Sequence, residues 1–364
     1  MKIAIDVQTT LGKPTGFGFY VSNLVENLKN SDAKDDFVLI KPDSEVDFST
    51  PKRFVWDQLT LPRLAGKHKV DLLHQPCFSA PFIFKGPVVI TIHDIISILF
   101  PENIPFASRM FYSKWMPFSY RKATKIITIS HSTQNDIVRV LKIPKEKITV
   151  IHNGVDEKFK IKVSAGKIKE VKAKYKIPGD YILHIGTLEP RKNLGFLIDA
   201  FSKAIADRKN QSLNLVVTGK RGWYFEDLFE KVAKLGLKEK VIFTGYVDED
   251  DKAALYQGAR IFAFPSLYEG FGLPPLEAMV SGIPVISSDT SSMPEVVGDA
   301  GILLKPNNLE GWVKAITKIN GDDEFHKQLS QKSEIQADGF SWKKTAQQTI
   351  DVYHQAIREY RRGG

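Results

Sequence analysis

Apolar, β-branched runs recur along the chain every few tens of residues, with helical patterns between them. In the first half they predict strands over residues 2–7, 37–41, 70–74, 88–93, 125–130 and 147–152. In the second half the predicted strands are 181–187, 214–220, 241–246, 260–265, 284–289 and 300–305. Strands alternating with helices imply an α/β protein whose parallel sheets are covered on both faces. Six strands in each half imply two Rossmann-like, doubly wound domains. The seam falls at 156–178, where eight lysines crowd a stretch with little core character. The expected organisation is an N-terminal domain over 1–155, a lysine-rich linker over 156–178 and a C-terminal domain over 179–340. An amphipathic helix carrying Trp342, Ala346, Ile350, Tyr353 and Ile357 closes the chain over 341–364. In open α/β sheets ligands sit beyond the C-terminal strand ends, so the residues just after each strand come under scrutiny.

The most informative of these stretches is 262–284. An apolar run ends at Pro265, the turn Glu269-Gly270-Phe271-Gly272 follows, and Leu273, Pro274 and Pro275 open a helix that Gly282 and Pro284 end. Prolines are tolerated in a first helical turn. A Gly-rich turn feeding a helix N-terminus suits phosphate. Glu269 and Glu277 would be unfavourable beside an anion unless they grip hydroxyls, and a nucleotide sugar carries hydroxyls on either side of its diphosphate. After the first strand of the same half, Gly186-Thr187-Leu188-Glu189-Pro190-Arg191-Lys192 places two cations at a strand-to-helix turn. There Arg offers a fork and Lys a point charge to a diphosphate.

Other positions are open to two readings. Gly16 and Gly18, in the loop 12–18 after the first strand, form a GxG turn that either contacts phosphate or is simply tight. His93 ends the fourth strand as a structural hydrogen-bonder or a catalyst. Ser130 either lines a site or caps the helix containing Ile137 and Val140. Asp248-Glu249-Asp250-Asp251 contains a DxD metal pattern, but it directly precedes a helical run, where the dipole favours acids without a metal. The aromatic and basic stretch 104–125 either lies on an anionic membrane or packs in the core, and Pro117 with its lack of a two-faced pattern favours the core.

Composition narrows little. The chain has 364 residues, 43% apolar and 26% charged, as in an ordinary soluble protein. Its single cysteine, Cys77, excludes an intrachain disulfide and fits a reducing cytoplasm. Residues 1–6 do not form a signal peptide, and no apolar run approaches the ~20 residues of a membrane span. The net charge of +9 suits nucleic acid, anionic lipid or an anionic substrate. No aromatic-basic nucleic-acid motif accompanies it, and no His/Cys cluster has zinc spacing.

The string FPSLYEGFGLPPLEAMVSGIPVI over 264–286 resembles the retaining glycosyltransferases of family 4, which have the two-domain GT-B fold with an interdomain cleft. The resemblance implies a nucleoside-diphosphate sugar bound by the second domain and an acceptor bound by the first. It implies that Gly16 and Gly18 face the diphosphate, that His93 points toward the transferred sugar and that Ser130 lines the same cleft. Glu269 would face the sugar beside Gly270, Phe271, Gly272 and Leu273, while Glu277 reaches the ribose. Tyr246 and Val247 match the place where relatives hold the base by backbone contacts. Relatives commonly carry Arg directly after the glycine and Lys five residues on. Here Lys192 matches, but Thr187 stands where the Arg would be and Arg191 is the candidate replacement. GTLEPRKN and TGKRGW resemble mannosyltransferase-like relatives, so GDP-mannose is favoured over a UDP sugar. The implied reaction is hexose transfer to a glycan or lipid-linked acceptor with retention, needing no metal or other cofactor. A GT-B epimerase and a non-catalytic nucleotide-sugar binder are the alternatives. A cytoplasmic protein, at most peripheral to the inner membrane face, is expected.

Overall fold

The computed structural model describes residues 1–12, 16–44, 48–101, 106–220, 222 and 226–363. The described residues form two compact units. One comprises Met1–Gly154 with Ser341–Gly364, the other Val155–Phe340.

In the first unit, β1 (Lys2–Asp6), β2 (Asp36–Ile40), β3 (Leu72–Gln75), β4 (Val88–Ile92), β5 (Lys125–Thr128) and β6 (Ile148–Val150) form a parallel sheet. Its order is β2-β1-β3-β4-β5-β6, one of the two common doubly wound arrangements. In the second unit, β7 (Tyr181–Ile185), β8 (Asn214–Thr218), β9 (Val241–Gly245), β10 (Ile261–Phe264), β11 (Val285–Ser288) and β12 (Ile302–Leu304) do the same. Their order, β12-β11-β10-β7-β8-β9, is that of dinucleotide-binding domains, with the direction of winding reversing between β7 and β10. All twelve predicted strands are present, each starting or ending within a few residues of its apolar run. Most are buried along their whole length, as sandwiching between helical layers requires.

The lysine-rich stretch 156–178, expected as a linker, is instead folded into the second unit. Phe159, Val171 and Ile177 are buried, and the helix Ala165–Lys174 runs between them. Its cations are used: Lys174 pairs with Asp248 at 2.7 Å and Asp251 at 2.6 Å, and Lys158 lies 3.5 Å from Glu249.

The stretch from Phe106 to Lys122 also differs from expectation. It is one run of helical turns in which Phe111–Trp115 is a wide π turn. That turn precedes Pro117, which has no N–H to donate. Phe111 and Tyr120 are buried, whereas Met110 is 71% and Phe118 53% exposed. Met110, Lys114 and Phe118 line an apolar groove of about 530 Å³ together with Phe54 and Trp115. Residues 104 and 105 of the predicted stretch lie outside the described residues. No helix among the described residues is long and apolar enough to cross a membrane.

The final helix, Trp342–Gly363, packs on the helix Gly16–Lys29 and on β4 and β5. The Tyr353 hydroxyl and His74 Nδ1 are 2.7 Å apart, and the Thr345 hydroxyl donates to the His152 carbonyl at 2.7 Å. At its start Gly154 passes so close that a Cβ there would lie 2.1 Å from the Trp342 nitrogen. Overpacking of this kind costs about 1–3 kcal/mol. Gly154→Ala should therefore lower the unfolding free energy by that amount, read as a lower urea midpoint at unchanged slope, and an unchanged midpoint would show that the helix start can slide away.

Candidate functional site

The winding reversal between β7 and β10 leaves a crevice at their C-terminal ends, and most of the predicted residues converge there. Backbone hydrogen bonds knit the loops: Gly186 N–H to Thr218 O, Gly219 N–H to Gly245 O and Leu267 N–H to Arg191 O, each 2.9 Å. Gly219 has φ +152°, and a Cβ on it would lie 1.9 Å from the Gly186 carbonyl oxygen. Only glycine lets these two loops touch. Gly272, at φ +114°, turns the chain into the helix Leu273–Val280, where a Cβ would strike the Met293 methyl at 2.4 Å. Pro274 and Pro275 remove two N–H donors from that first turn, so the helix start is a weaker anion site than its position suggests.

Charge supplies what the helix start lacks. Three donors converge on Glu269 Oε1: Lys192 Nζ at 2.6 Å, Arg191 Nη1 at 2.9 Å and the Ser266 hydroxyl at 2.5 Å. Arg191 also donates to the Tyr268 carbonyl and to Glu189. Burial would raise the Glu269 carboxyl, but the Lys192 and Arg191 charges outweigh it and hold it at about 2. Lys192 moves the other way. Its burial, helped by the like charge of Arg191, lowers the ammonium below the ordinary lysine range despite Glu269. Ser291 and Ser292 hold the turn, accepting from the Glu269 N–H at 2.8 Å and donating to the Phe271 carbonyl at 2.6 Å.

Beneath the cations lies a group that no local pattern announces. His184 of β7 is wholly buried, stacked on Phe264, with Nδ1–H donated to the Ala263 carbonyl at 2.9 Å. Its Nε2 has no partner among the described residues and faces the Gly186–Lys192 side. Burial pushes the imidazole down to about 4, so it is neutral. It sits inside a strand pattern, where sequence alone reads it as core.

Glu277 is placed as expected in the helix after the glycine turn, and it accepts from the Tyr256 hydroxyl at 2.7 Å. Burial raises its carboxyl above the ordinary range, opposed by Lys252 and the Tyr256 hydrogen bond. Tyr256 and Lys252 come from the helix Glu249–Gln257, a contact only the tertiary fold reveals. At the end of β9, Tyr246 is exposed with Lys220 Nζ 5.5 Å from its ring centre, while the Val247 side chain is buried. Thr187 lines the same loop as Arg191, and Gly270 and Phe271 are buried within the turn. Arg221 and Trp223 of the TGKRGW string lie outside the described residues.

Asp248 holds the N-cap position of its helix but makes no side-chain bond to the first-turn amides. Its carboxylate and that of Asp251 are paired with Lys174 instead.

Four predicted residues belong to the first unit. His93 follows β4, its ring between Phe17 and Tyr20, and Nε2–H is donated to the Pro76 carbonyl at 2.9 Å. Burial pushes it down to about 4 against that hydrogen bond. Ser130, read either as a helix cap or as lining the donor site, caps its helix: it accepts from Thr133 N–H and donates to Thr133 Oγ1, both at 3.0 Å. Wholly buried, its hydroxyl has no proton left for a ligand. Gly18 is buried in the helix Gly16–Lys29, and Gly16 opens it with nothing within 4 Å of where a Cβ would stand. Lys13, Pro14 and Thr15 of that loop lie outside the described residues.

Comparison with known proteins bears directly on this arrangement. Residues 167–336 match the family model "Glycosyl transferases group 1" and residues 22–159 match "Glycosyltransferase Family 4". The chain is 34% identical over 288 residues to O-antigen chain mannosyltransferase B of Escherichia coli, covering 79% of this chain and 74% of that one. The chain belongs to the family 4 glycosyltransferases. It is also 31% identical over 271 residues to the serotype-specific mannosyltransferase WbdA of Escherichia coli, which covers 73% of this chain but only 33% of that longer protein. Among solved structures, Anabaena HepE in complex with UDP and glucose superposes with a TM-score of 0.76 at 20% identity, over 98% of this chain and all of that one. This likeness shows the GT-B fold.

For this glycosyltransferase the buried Glu277 carries a stability cost with a defined sign. A carboxyl whose folded pKa is raised stabilises the fold below its unfolded value and loses that contribution as pH rises through the folded one. Glu277→Gln keeps an acceptor for Tyr256 and removes the buried charge. Relative to the wild type, its melting temperature should rise as pH climbs from below about 4 toward 7, on top of any constant loss from leaving Lys252 without that charge. A gap independent of pH would contradict the buried-charge account.

Proposed function

We propose that this enzyme transfers a hexose, mannose in the first instance, from a nucleoside-diphosphate sugar to a glycan or lipid-linked acceptor with retention. The observation that carries the reading is the pair Arg191 and Lys192 held on Glu269 at the β7/β10 crevice, with Glu277 in the helix that the same glycine turn opens. Two cations beside two hydroxyl-gripping acids suit a diphosphate with a sugar at either end. In this reading Arg191 supplies the cation that Thr187 cannot. The mannosyltransferase relatives favour GDP-mannose, and a UDP sugar is the other candidate. The acceptor oxygen bonds to the anomeric carbon on the face the diphosphate leaves. The breaking bond's electron pair and the acceptor's proton both go to the departing phosphate. Arg191 and Lys192 stabilise that leaving group electrostatically, and His93 of the first unit is assigned to the sugar.

A panel of nucleotide sugars and nucleotides in thermal shift tests the donor, because a ligand raises the melting point by mass action. GDP-mannose should give the largest rise. Acceptor-dependent release of GDP separates transfer from epimerisation or mere binding, and a panel without any shift would overturn the reading. Turnover should also survive exhaustive EDTA treatment, since Asp248 and Asp251 are engaged by Lys174. A loss restored by manganese would refute metal independence.

The exposed stripe Met110, Lys114 and Phe118 supports peripheral contact with an anionic membrane from the first unit. Aromatic and apolar side chains with a lysine among them favour the headgroup boundary. The enzyme should co-sediment with phosphatidylglycerol vesicles and not with phosphatidylcholine vesicles. Met110→Glu with Phe118→Glu should abolish that binding at an unchanged melting temperature. Binding that survives the double change would place the contact elsewhere.

A further inference from the structure

Glu269 occupies the place of an anion. A lysine ammonium, a guanidinium N–H and a hydroxyl all point at the single oxygen Oε1. That is the donor set a phosphate oxygen would receive, and its side chain is only 12% exposed, so solvent screens it little. A diphosphate would compete with this carboxylate for the same two cations, even though the Lys192 ammonium and the Arg191 fork carry further N–H groups. An anion that takes Arg191 and Lys192 therefore draws them away from Glu269.

The displaced carboxylate then needs new partners. Of its three present donors, Ser266 alone would remain as a neutral one, and the Arg191 fork would be shared with Glu189 and the ligand. An acid left in a site this buried without donors carries its full desolvation penalty. A bare nucleoside diphosphate takes the cations and offers Glu269 nothing. A nucleoside-diphosphate sugar takes the cations and returns hydroxyls.

We infer that Glu269 is an exchange group, an internal counter-anion that yields Lys192 and Arg191 only to a ligand whose sugar hydroxyls take it in turn. This rests on the donor assignment above and adds a role for the residue in selecting substrate over product. Once the sugar has left, the carboxylate competes again for the two cations and favours expulsion of the nucleotide. Lys192 is suited to the exchange, since its nearly buried ammonium meets one carboxylate and one aromatic ring.

Calorimetry on the whole enzyme tests this with GDP, GDP-mannose, UDP, UDP-glucose and inorganic pyrophosphate. The pair with the matching base reports the effect, and pyrophosphate reports it independently of the base. Glu269→Gln keeps the shape and loses the charge, and Glu269→Ala loses both. Each should bind the nucleoside diphosphate and pyrophosphate about tenfold or more tighter than wild type. The preference for the nucleotide sugar over its nucleotide should fall by at least the same factor. Should the Gln variant fold poorly, the Ala variant read at a wild-type-like melting temperature decides. Unchanged or weaker diphosphate affinity in both would overturn the exchange role. Lys192→Ala separates the two levels. If it leaves diphosphate affinity intact, the donor assignment itself fails, whereas a loss there with no gain in the Glu269 variants sinks the exchange alone.

Discussion

Arg191 and Lys192 meet the carboxylate of Glu269 where the ends of β7 and β10 lie side by side, and much of the local structure follows from that contact. Arg191 and Lys192 follow the first strand of the sheet, while Glu269 follows the fourth. Only a doubly wound order brings those two strand ends side by side. Gly219 is then forced, because a Cβ would strike the Gly186 carbonyl of the neighbouring loop, and Gly272 is forced by its positive φ. The serines of the crevice follow too, since backbone groups turned toward the ions need short polar partners. The fold is therefore less a scaffold with a site attached than a means of keeping like charges close enough to compete for opposite ones.

Much of this was legible in the chain itself. Strands buried on both faces leave dense β-branched runs, so all twelve stood out. Their order did not, because nothing in a run such as Ile261–Phe264 says that its neighbour is β7. Candidate residues were legible where chemistry follows a strand end directly, as with Lys192, Glu269 and Glu277. They were hidden where the partner comes from elsewhere: Tyr256 reaches Glu277 from the preceding helix, and His184 is masked by the strand it belongs to. Ser130 carried two readings in the sequence, a family position and a local cap, and the local interaction with Thr133 is the one the fold displays.

The region Phe106–Lys122 illustrates how backbone geometry rewrites a sequence pattern. Scored at 3.6 residues per turn, its aromatics scatter around the helix and suggest no exposed face. The π turn at Phe111–Trp115 interrupts that pattern ahead of Pro117. Met110, Lys114 and Phe118, each four residues apart, share one face of the run and line the groove, while Phe111 and Tyr120 go into the core. That face emerges only when the methionine and the lysine are scored beside the aromatics.

Net charge proves a poor guide to where the chemistry lies. The excess of positive charge is carried by 51 Lys and Arg residues, most of them scattered. Several lysines near the acidic helix start are occupied by Asp248, Glu249 and Asp251, and exposed pairs of that kind contribute little each. The cation argued to matter most, Lys192, is among the least exposed, with its ammonium facing one carboxylate and one aromatic ring. Burial is what gives it power, since a charge in a poorly screened place interacts several times more strongly than one in water. The same burial makes it costly to leave unpaired. A site built this way cannot stay idle with its charges bare, so it must either neutralise them or hold them against something that can be exchanged.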